Sequence, residues 1–288
     1  MKKILKIFTL TIMVLLFICV ISILSIQEDA FFHPWHDAQS YTELLKIQDF
    51  KEIKIDNDGK LIHGWFYNNG KTGEEAPLLL FFGGNAQNSS NTCLSFLQSD
   101  IYQYFNGYNF MIVDYPSYGL SEGKISDITM FNTALKTYDY ATQLEDVDED
   151  KIVVMGYSIG TGVATYTASQ RNVNGLILLS PYDEALSLYN DTLNIFHGPL
   201  KVLAKYKFKS IEYAPDVKVA PIIFTSYADE VINYNDSLNL ANYFNEVEDI
   251  IILDKVKHAY YFSQEEVLNK INACFTLSNI IISSTSLK

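Results

Sequence analysis

Ile152-Val153-Val154-Met155-Gly156-Tyr157-Ser158-Ile159-Gly160-Thr161 decides the fold. Four apolar residues in a row form too short a run for a helix and read as a strand buried on both faces. Beyond Gly160 the apolar residues recur at helical spacing to Gln170. Between the two stands a serine flanked by glycines two positions away on either side. A serine hydroxyl is a weak nucleophile, so it needs exposure on a sharp turn and a base within reach. A strand-to-helix turn presents it in that way, and the glycines leave room where a side chain would strike neighbouring backbone. The helix that begins there also aims amide donors at any negative charge that develops.

Outward from this turn the same grammar repeats. Continuous apolar runs stand at 78–82, 110–113, 152–155, 176–179, 222–224 and 250–253. Helix-period segments fill the gaps at 93–104, 128–144, 160–170, 237–244 and 265–275. Strands alternating with helices predict an α/β layer with a mostly parallel sheet. Ahead of it, 52–55 and 61–67 alternate apolar and polar around Asn57-Asp58-Gly59, which predicts an antiparallel hairpin. A polar turn is expected at 68–75. The stretch 182–213 is polar-aromatic without a strand and reads as a helical insertion over the active face, lining or covering a pocket.

Strand ends then supply candidate chemistry. Asp229 lies just past the run at 222–224, and His258 just past the run at 250–253. Both fall where ligands bind in open α/β sheets. Serine, then acid, then histidine is the chain order of one arrangement in which His258 takes the proton of Ser158 and Asp229 orients the imidazole. Glu230 and Asp254 are rival acids, and His63 and His197 rival bases. Phe81-Phe82-Gly83-Gly84-Asn85-Ala86 follows another strand, and acyl transfer needs two backbone amides aimed at an oxyanion. The amides of Asn85 and Ile159 are the candidates. The loop from Asp114 to Gly123 reads as a turn-rich strand exit that shapes the pocket wall.

The N-terminus carries a different signal. Residues 4–26 are apolar apart from Lys6 and a few Ser and Thr, about twenty residues of span, enough to cross a bilayer as a helix. No small-residue cleavage site precedes Gln27-Glu28-Asp29, so an uncleaved anchor is expected at 1–27, with a secreted form after signal cleavage as the alternative. Lys2 and Lys3 before the span and acids after it place the N-terminus inside and the domain at 28–288 outside.

Composition narrows the function classes. Hydrophobic residues make up 48% of the 288 and the formal net charge is −13. No basic cluster is read beyond the extreme N-terminus, so nucleic acid is excluded as a partner. The three cysteines are too few for a disulfide scaffold, although Cys93 and Cys274 could pair in an oxidising compartment. The five histidines are scattered and no metal-binding spacing occurs, so neither metal nor cofactor is expected.

Taken together, the Gly84-Asn85-Ala86 loop, the Asp114–Gly123 loop and the Gly156–Gly160 turn resemble the α/β-hydrolase superfamily. With Ser180-Pro181-Tyr182, Lys209-Ser210 and the stretch from Pro221 to Asn233, they look like its membrane-anchored α/β-hydrolase-domain branch, related to depalmitoylase-like and monoacylglycerol-lipase-like proteins. The resemblance covers roughly 61–262. It implies a serine hydrolase that cleaves a carboxylic ester or thioester on a small or lipid-like acyl substrate through an acyl-enzyme, with Ser158, Asp229 and His258 catalytic. A peptidase of the same fold and a non-catalytic binding module are the alternatives. The sequence departs from the family pattern at Gly83, where His is usual, at Asn233, where Pro follows the acid, and at Lys257, where Gly is common.

Overall fold

The computed structural model describes residues 1–69, 74–105, 107–192 and 194–285. The part of the expected polar turn at 70–73 lies outside them, as does residue 193 of the expected insertion. Eight strands form one sheet among these residues: β1 Phe50–Asn57, β2 Lys60–Tyr67, β3 Ala76–Phe82, β4 Asn109–Val113, β5 Val147–Tyr157, β6 Gly175–Leu179, β7 Ile222–Ser226 and β8 Asp249–Leu253. Their order is β1-β2-β4-β3-β5-β6-β7-β8. The first two pair antiparallel, β2 pairs antiparallel with β4, and every later pair is parallel. Asp58 and Gly59 turn the first hairpin, both at positive φ (54° and 78°), the backbone that Asn-Asp-Gly anticipates.

The continuous apolar runs have a simple cause. Along β3, Leu78, Leu80 and Phe82 belong to one apolar layer while Leu79 and Phe81 belong to the other, and β5 divides its residues likewise. Helices on both faces bury both sets. The last strand departs from this expectation. Among the described residues β8 pairs only with β7 and ends the sheet, so Ile252 is exposed despite its apolar run.

The helix expected at 93–104 is two elements, Ser89–Gln98 and a 3₁₀ turn Ile101–Phe105, separated where Asp100 takes a φ of 53°. The C-terminal helix Glu265–Thr285 outruns its expected end at 275. After β6 the chain makes a helix Ala185–Thr192, a 3₁₀ turn Gly198–Leu203 and a short helix Ser210–Tyr213, with no strand among the described residues. Cys93 and Cys274 are separate buried thiols on the same side of the sheet.

The N-terminal helix Lys2–Phe31 is long and apolar enough to cross a membrane, which suits an anchor or a signal sequence. It continues into the domain: Gln27, Phe31 and Phe32 are buried against the segment that follows the Gly198–Leu203 turn. That segment also corrects the reading of charge. Lys201 in the turn and Lys205, Lys207 and Lys209 just after it follow closely in sequence, and residues 194–211 carry no Asp or Glu, although Glu28 and Glu212 from outside pair with Lys205 and Lys209. A whole-chain charge of −13 concealed this local excess of cation.

Candidate active site

The parallel strands deliver the candidate side chains to one edge of the sheet. β5 ends at Tyr157 and a helix starts at Ile159, so Ser158 makes the whole turn, at φ 54° and ψ −123°. A non-glycine residue there is strained, and its surroundings must hold it. The Ser158 amide donates to Leu179 O (3.0 Å), while its carbonyl accepts from the amide (2.9 Å) and hydroxyl (2.6 Å) of Thr161. The glycines are required by close approach. A Cβ on Gly160 would stand 2.1 Å from Phe82 O, and one on Gly156 2.5 Å from Gly160 O. The Ser158 hydroxyl makes no helix-capping bond and faces another partner.

That partner is His258, at the start of the 3₁₀ turn His258–Ser263 after β8. Its Nε2 lies 2.8 Å from Ser158 Oγ, and its Nδ1 lies 2.9 and 3.0 Å from the two oxygens of Asp229. With Nδ1–H donating to the carboxylate, Nε2 accepts from the serine hydroxyl. The Asp229 side chain is fully buried and well supplied with donors. Oδ1 accepts from the amides of Val231 and Ile232, both at 2.9 Å. Oδ2 accepts from Ser180 Oγ at 2.6 Å and from Tyr261 Oη at 3.3 Å. Burial raises the Asp229 carboxyl, but the hydrogen bond and charge of His258, with Ser180 and the Ile232 amide, outweigh it and hold the group below its ordinary range. Burial, then the charges of Asp229 and Glu230, pushes the Tyr157 phenol up, so it stays a donor, to the carbonyl of His258 at 2.5 Å.

The rivals sit elsewhere or act otherwise. Glu230 accepts from the backbone amide of His258 (3.2 Å), and Asp254 is exposed. His63 is buried against Asp114 (3.0 Å), whose carboxylate also holds the Ser89 and Leu120 amides, so this pair ties β2 to the loop after β4. His197 is exposed, bonded to Asn194. Among the described residues no group of three or more His, Cys, Asp and Glu could hold a metal ion.

A cavity of about 560 Å³ opens in front of Ser158 and His258, with Asn85 and Ile159 also at its wall. Gly84 brings the glycine loop close: a Cβ there would lie 3.4 Å from Ser158 Cβ. Asn85 reaches outward with its side chain. Its Nδ2 donates to Phe31 O (2.7 Å), and its Oδ1 accepts from the His33 amide (3.0 Å) and Tyr118 Oη (2.6 Å). Sequence reasoning missed this, as it missed Ser180 beside the acid. Of the described part of the insertion only Leu188 lines the cavity, whereas Ala30, Phe31 and His33 from the end of the N-terminal helix do. The aromatic stretch around His33-Pro34-Trp35 was the available signal.

Comparison with known proteins agrees with this architecture. Residues 77–214 match the family model described as alpha/beta hydrolase fold. The uncharacterized protein Rv2307c of Mycobacterium tuberculosis is 24% identical over 201 residues, covering 70% of this chain and 69% of its own. Among solved structures, the esterase Pf2001 of Pyrococcus furiosus superposes with a TM-score of 0.64 at 15% identity, over 84% of this chain and 96% of that one. Est1E of Butyrivibrio proteoclasticus gives 0.63 at 16%, over 80% and 99%.

Proposed function

We propose, from the α/β-hydrolase fold of this chain and the esterase among its neighbours, which support hydrolase activity, that it is a serine hydrolase cleaving carboxylic esters or thioesters. The observation that carries the reading is the unbroken hydrogen-bonded chain from Ser158 through His258 to a buried, ionised Asp229 at the wall of an open cavity. In this reading His258 Nε2 takes the hydroxyl proton as Ser158 Oγ attacks the acyl carbonyl. The amides of Ile159 and Asn85 receive the oxyanion. Collapse expels the alcohol or thiol, which leaves with the proton held on His258. A water, deprotonated by the same nitrogen, then releases the acid from acyl-Ser158.

Phe31, Ile159, Leu188, Val231 and Ile232 give the cavity an apolar wall that suits an acyl chain. The N-terminal helix is read as an uncleaved anchor over residues 1–27, with the hydrolase domain at 28–288, its insertion near 182–213, on the extracytoplasmic side. That arrangement supports the membrane-anchored branch of the superfamily and a lipid-like substrate.

A fluorophosphonate probe tests the proposal, since it phosphonylates only an activated serine. The intact chain in detergent is expected to label and Ser158→Ala is expected not to. Absence of label in the intact chain, with the protein folded by circular dichroism, refutes the enzyme and favours a binding module.

A further inference from the structure

The four lysines of the insertion lie between positions 201 and 209, with Lys205 3.4 Å from Glu28 and Lys209 paired with Glu212. Over residues 204–208 the chain is extended, with Ala204, Tyr206 and Phe208 buried and Lys205 and Lys207 turned outward between them, and half-buried Lys209 follows just ahead of the helix Ser210–Tyr213. The buried aromatics are held by the end of the N-terminal helix: Phe32 meets Tyr206 edge-on at 4.7 Å, and Phe31 lies stacked 6.2 Å from Phe208. Just ahead, Leu200 and Val202 are exposed, Val202 at 78%.

The height of this face relative to the helix is fixed. Gln27 Nε2 donates to Leu203 O (2.9 Å) and Gln27 Oε1 accepts from the Lys205 amide (2.8 Å). Gln27 follows directly on the apolar residues 4–26. At about 1.5 Å per residue those 23 positions span roughly 34 Å, against a hydrocarbon core of about 30 Å. A helix crossing a bilayer therefore sets the Gly198–Leu203 turn at the level where acyl chains give way to headgroups. Exposed apolar side chains ringed by lysines match that boundary, with Lys aliphatic stems in the apolar layer and their ammonium groups among anionic phosphates. A cavity of about 340 Å³ indents the same face, with Leu186, Val202 and Ala204 at its wall, Lys201, Lys207 and Lys209 about it, and Glu184 its acidic member.

We propose that Leu200, Val202 and the lysines at 201, 205, 207 and 209 form a docking surface for an anionic lipid bilayer, seated beside the exit of the N-terminal helix. The inference rests on that helix being a membrane anchor. Docking holds the domain, otherwise strongly acidic, flat against the membrane from which it would draw an acyl substrate.

The test uses the full chain reconstituted in vesicles of phosphatidylcholine with brominated acyl chains, with or without phosphatidylglycerol. Val202→Trp and, independently, Leu200→Trp place a fluorophore at exposed positions, and the parent chain supplies the background of its two tryptophans. Lys218→Trp, ahead of β7 at the opposite end of the sheet, is the comparison. Quenching of the Trp at 202 or 200 is expected to exceed that at 218 at least threefold, to rise with phosphatidylglycerol, and to lose that rise when Lys201→Glu and Lys207→Glu are added. Quenching at 200 and 202 no greater than at 218 overturns the docking surface. Failure of the parent chain to float with the vesicles overturns the anchor itself, and with it this proposal.

Discussion

Ser180→Ala removes the hydroxyl that donates to the acid and that also lies 3.2 Å from His258 Nδ1, a longer and weaker contact. Ser180 holds a φ of 53°, which alanine would share, so the substitution leaves backbone strain unchanged and removes one donor. The lost bond is a 2.6 Å contact to a buried carboxylate, and such bonds contribute roughly 1.5–3 kcal/mol. Tyr261 Oη still reaches the same oxygen at 3.3 Å, which favours the lower end, about 1.5 kcal/mol, or about one pKa unit. For a domain of this size that corresponds to roughly 3–6 °C in Tm. The sign of the pH dependence follows from the depressed Asp229 carboxyl. Its stabilisation is present in full above the ordinary value of 3.8 and is lost as pH falls through the lower folded value. The variant, with a folded value nearer the ordinary one, starts with less to lose. The gap in Tm between the two proteins should therefore be constant from about pH 7 to about pH 5 and narrow towards about pH 3. Thermal melts across that range measure it, and ester turnover should fall less than about tenfold, because His258 keeps its bonds to Asp229. A gap that stays the same at low pH, or no gap at all, refutes the assignment of this bond to the charged form. Ser180→Gly is the control: it loses the same donor but relieves roughly 1–2 kcal/mol of left-handed strain, and should melt above Ser180→Ala.

Two further substitutions probe the fit between the serine turn and the glycine loop. Gly160→Ala sets a methyl 2.1 Å from Phe82 O and 2.5 Å from Gly83 O, both backbone, so the two loops must part. A loss of about 1–3 kcal/mol in urea unfolding and a fall near 100-fold in kcat are expected, and wild-type turnover would contradict the reading. Asn85→Ala keeps the backbone amide but cuts the loop free of Phe31 and His33. It should lower kcat by about 10- to 100-fold with KM little changed, and weaken a trifluoromethyl ketone, which mimics the oxyanion, in proportion. A loss confined to Tm would mean that the side chain only holds the fold.

How far the sequence carried depends on which interactions are local. Strands β3 to β7 were legible because burial on both faces leaves an unbroken apolar run, and the glycines around Ser158 because a turn that tight excludes Cβ atoms within a few residues. The chain order of Ser158, Asp229 and His258 was legible too, since each follows its own strand into the same edge of the sheet. Ser180 was not. Ser-Pro after a strand looks like any strand exit, and only the pairing of β6 with β7 brings it to a carboxylate 49 residues on. The exposed face of β8 was hidden for a related reason, because an apolar run does not say whether a ninth strand will cover it.

The Phe31–Asn85 contact was harder still, for it joins the end of the N-terminal helix, a connector into the domain, to a loop read as a donor of amides. A connector that serves as a wall of the cavity obeys two constraints at once. It must leave the helix end in register with Leu203 and Lys205, and it must hold Asn85 against the serine turn. The stacked rings of Phe31 and Tyr189, 4.6 Å apart, with Phe32 against Tyr206, are where both constraints meet, and Tyr189, Tyr206 and Phe208 of the insertion are taken up by that packing. An anchored chain in which this joint is intact has its cavity oriented by the same residues that orient its domain on the membrane, so tethering and catalysis in the proposed enzyme would be altered together by a change at Phe31.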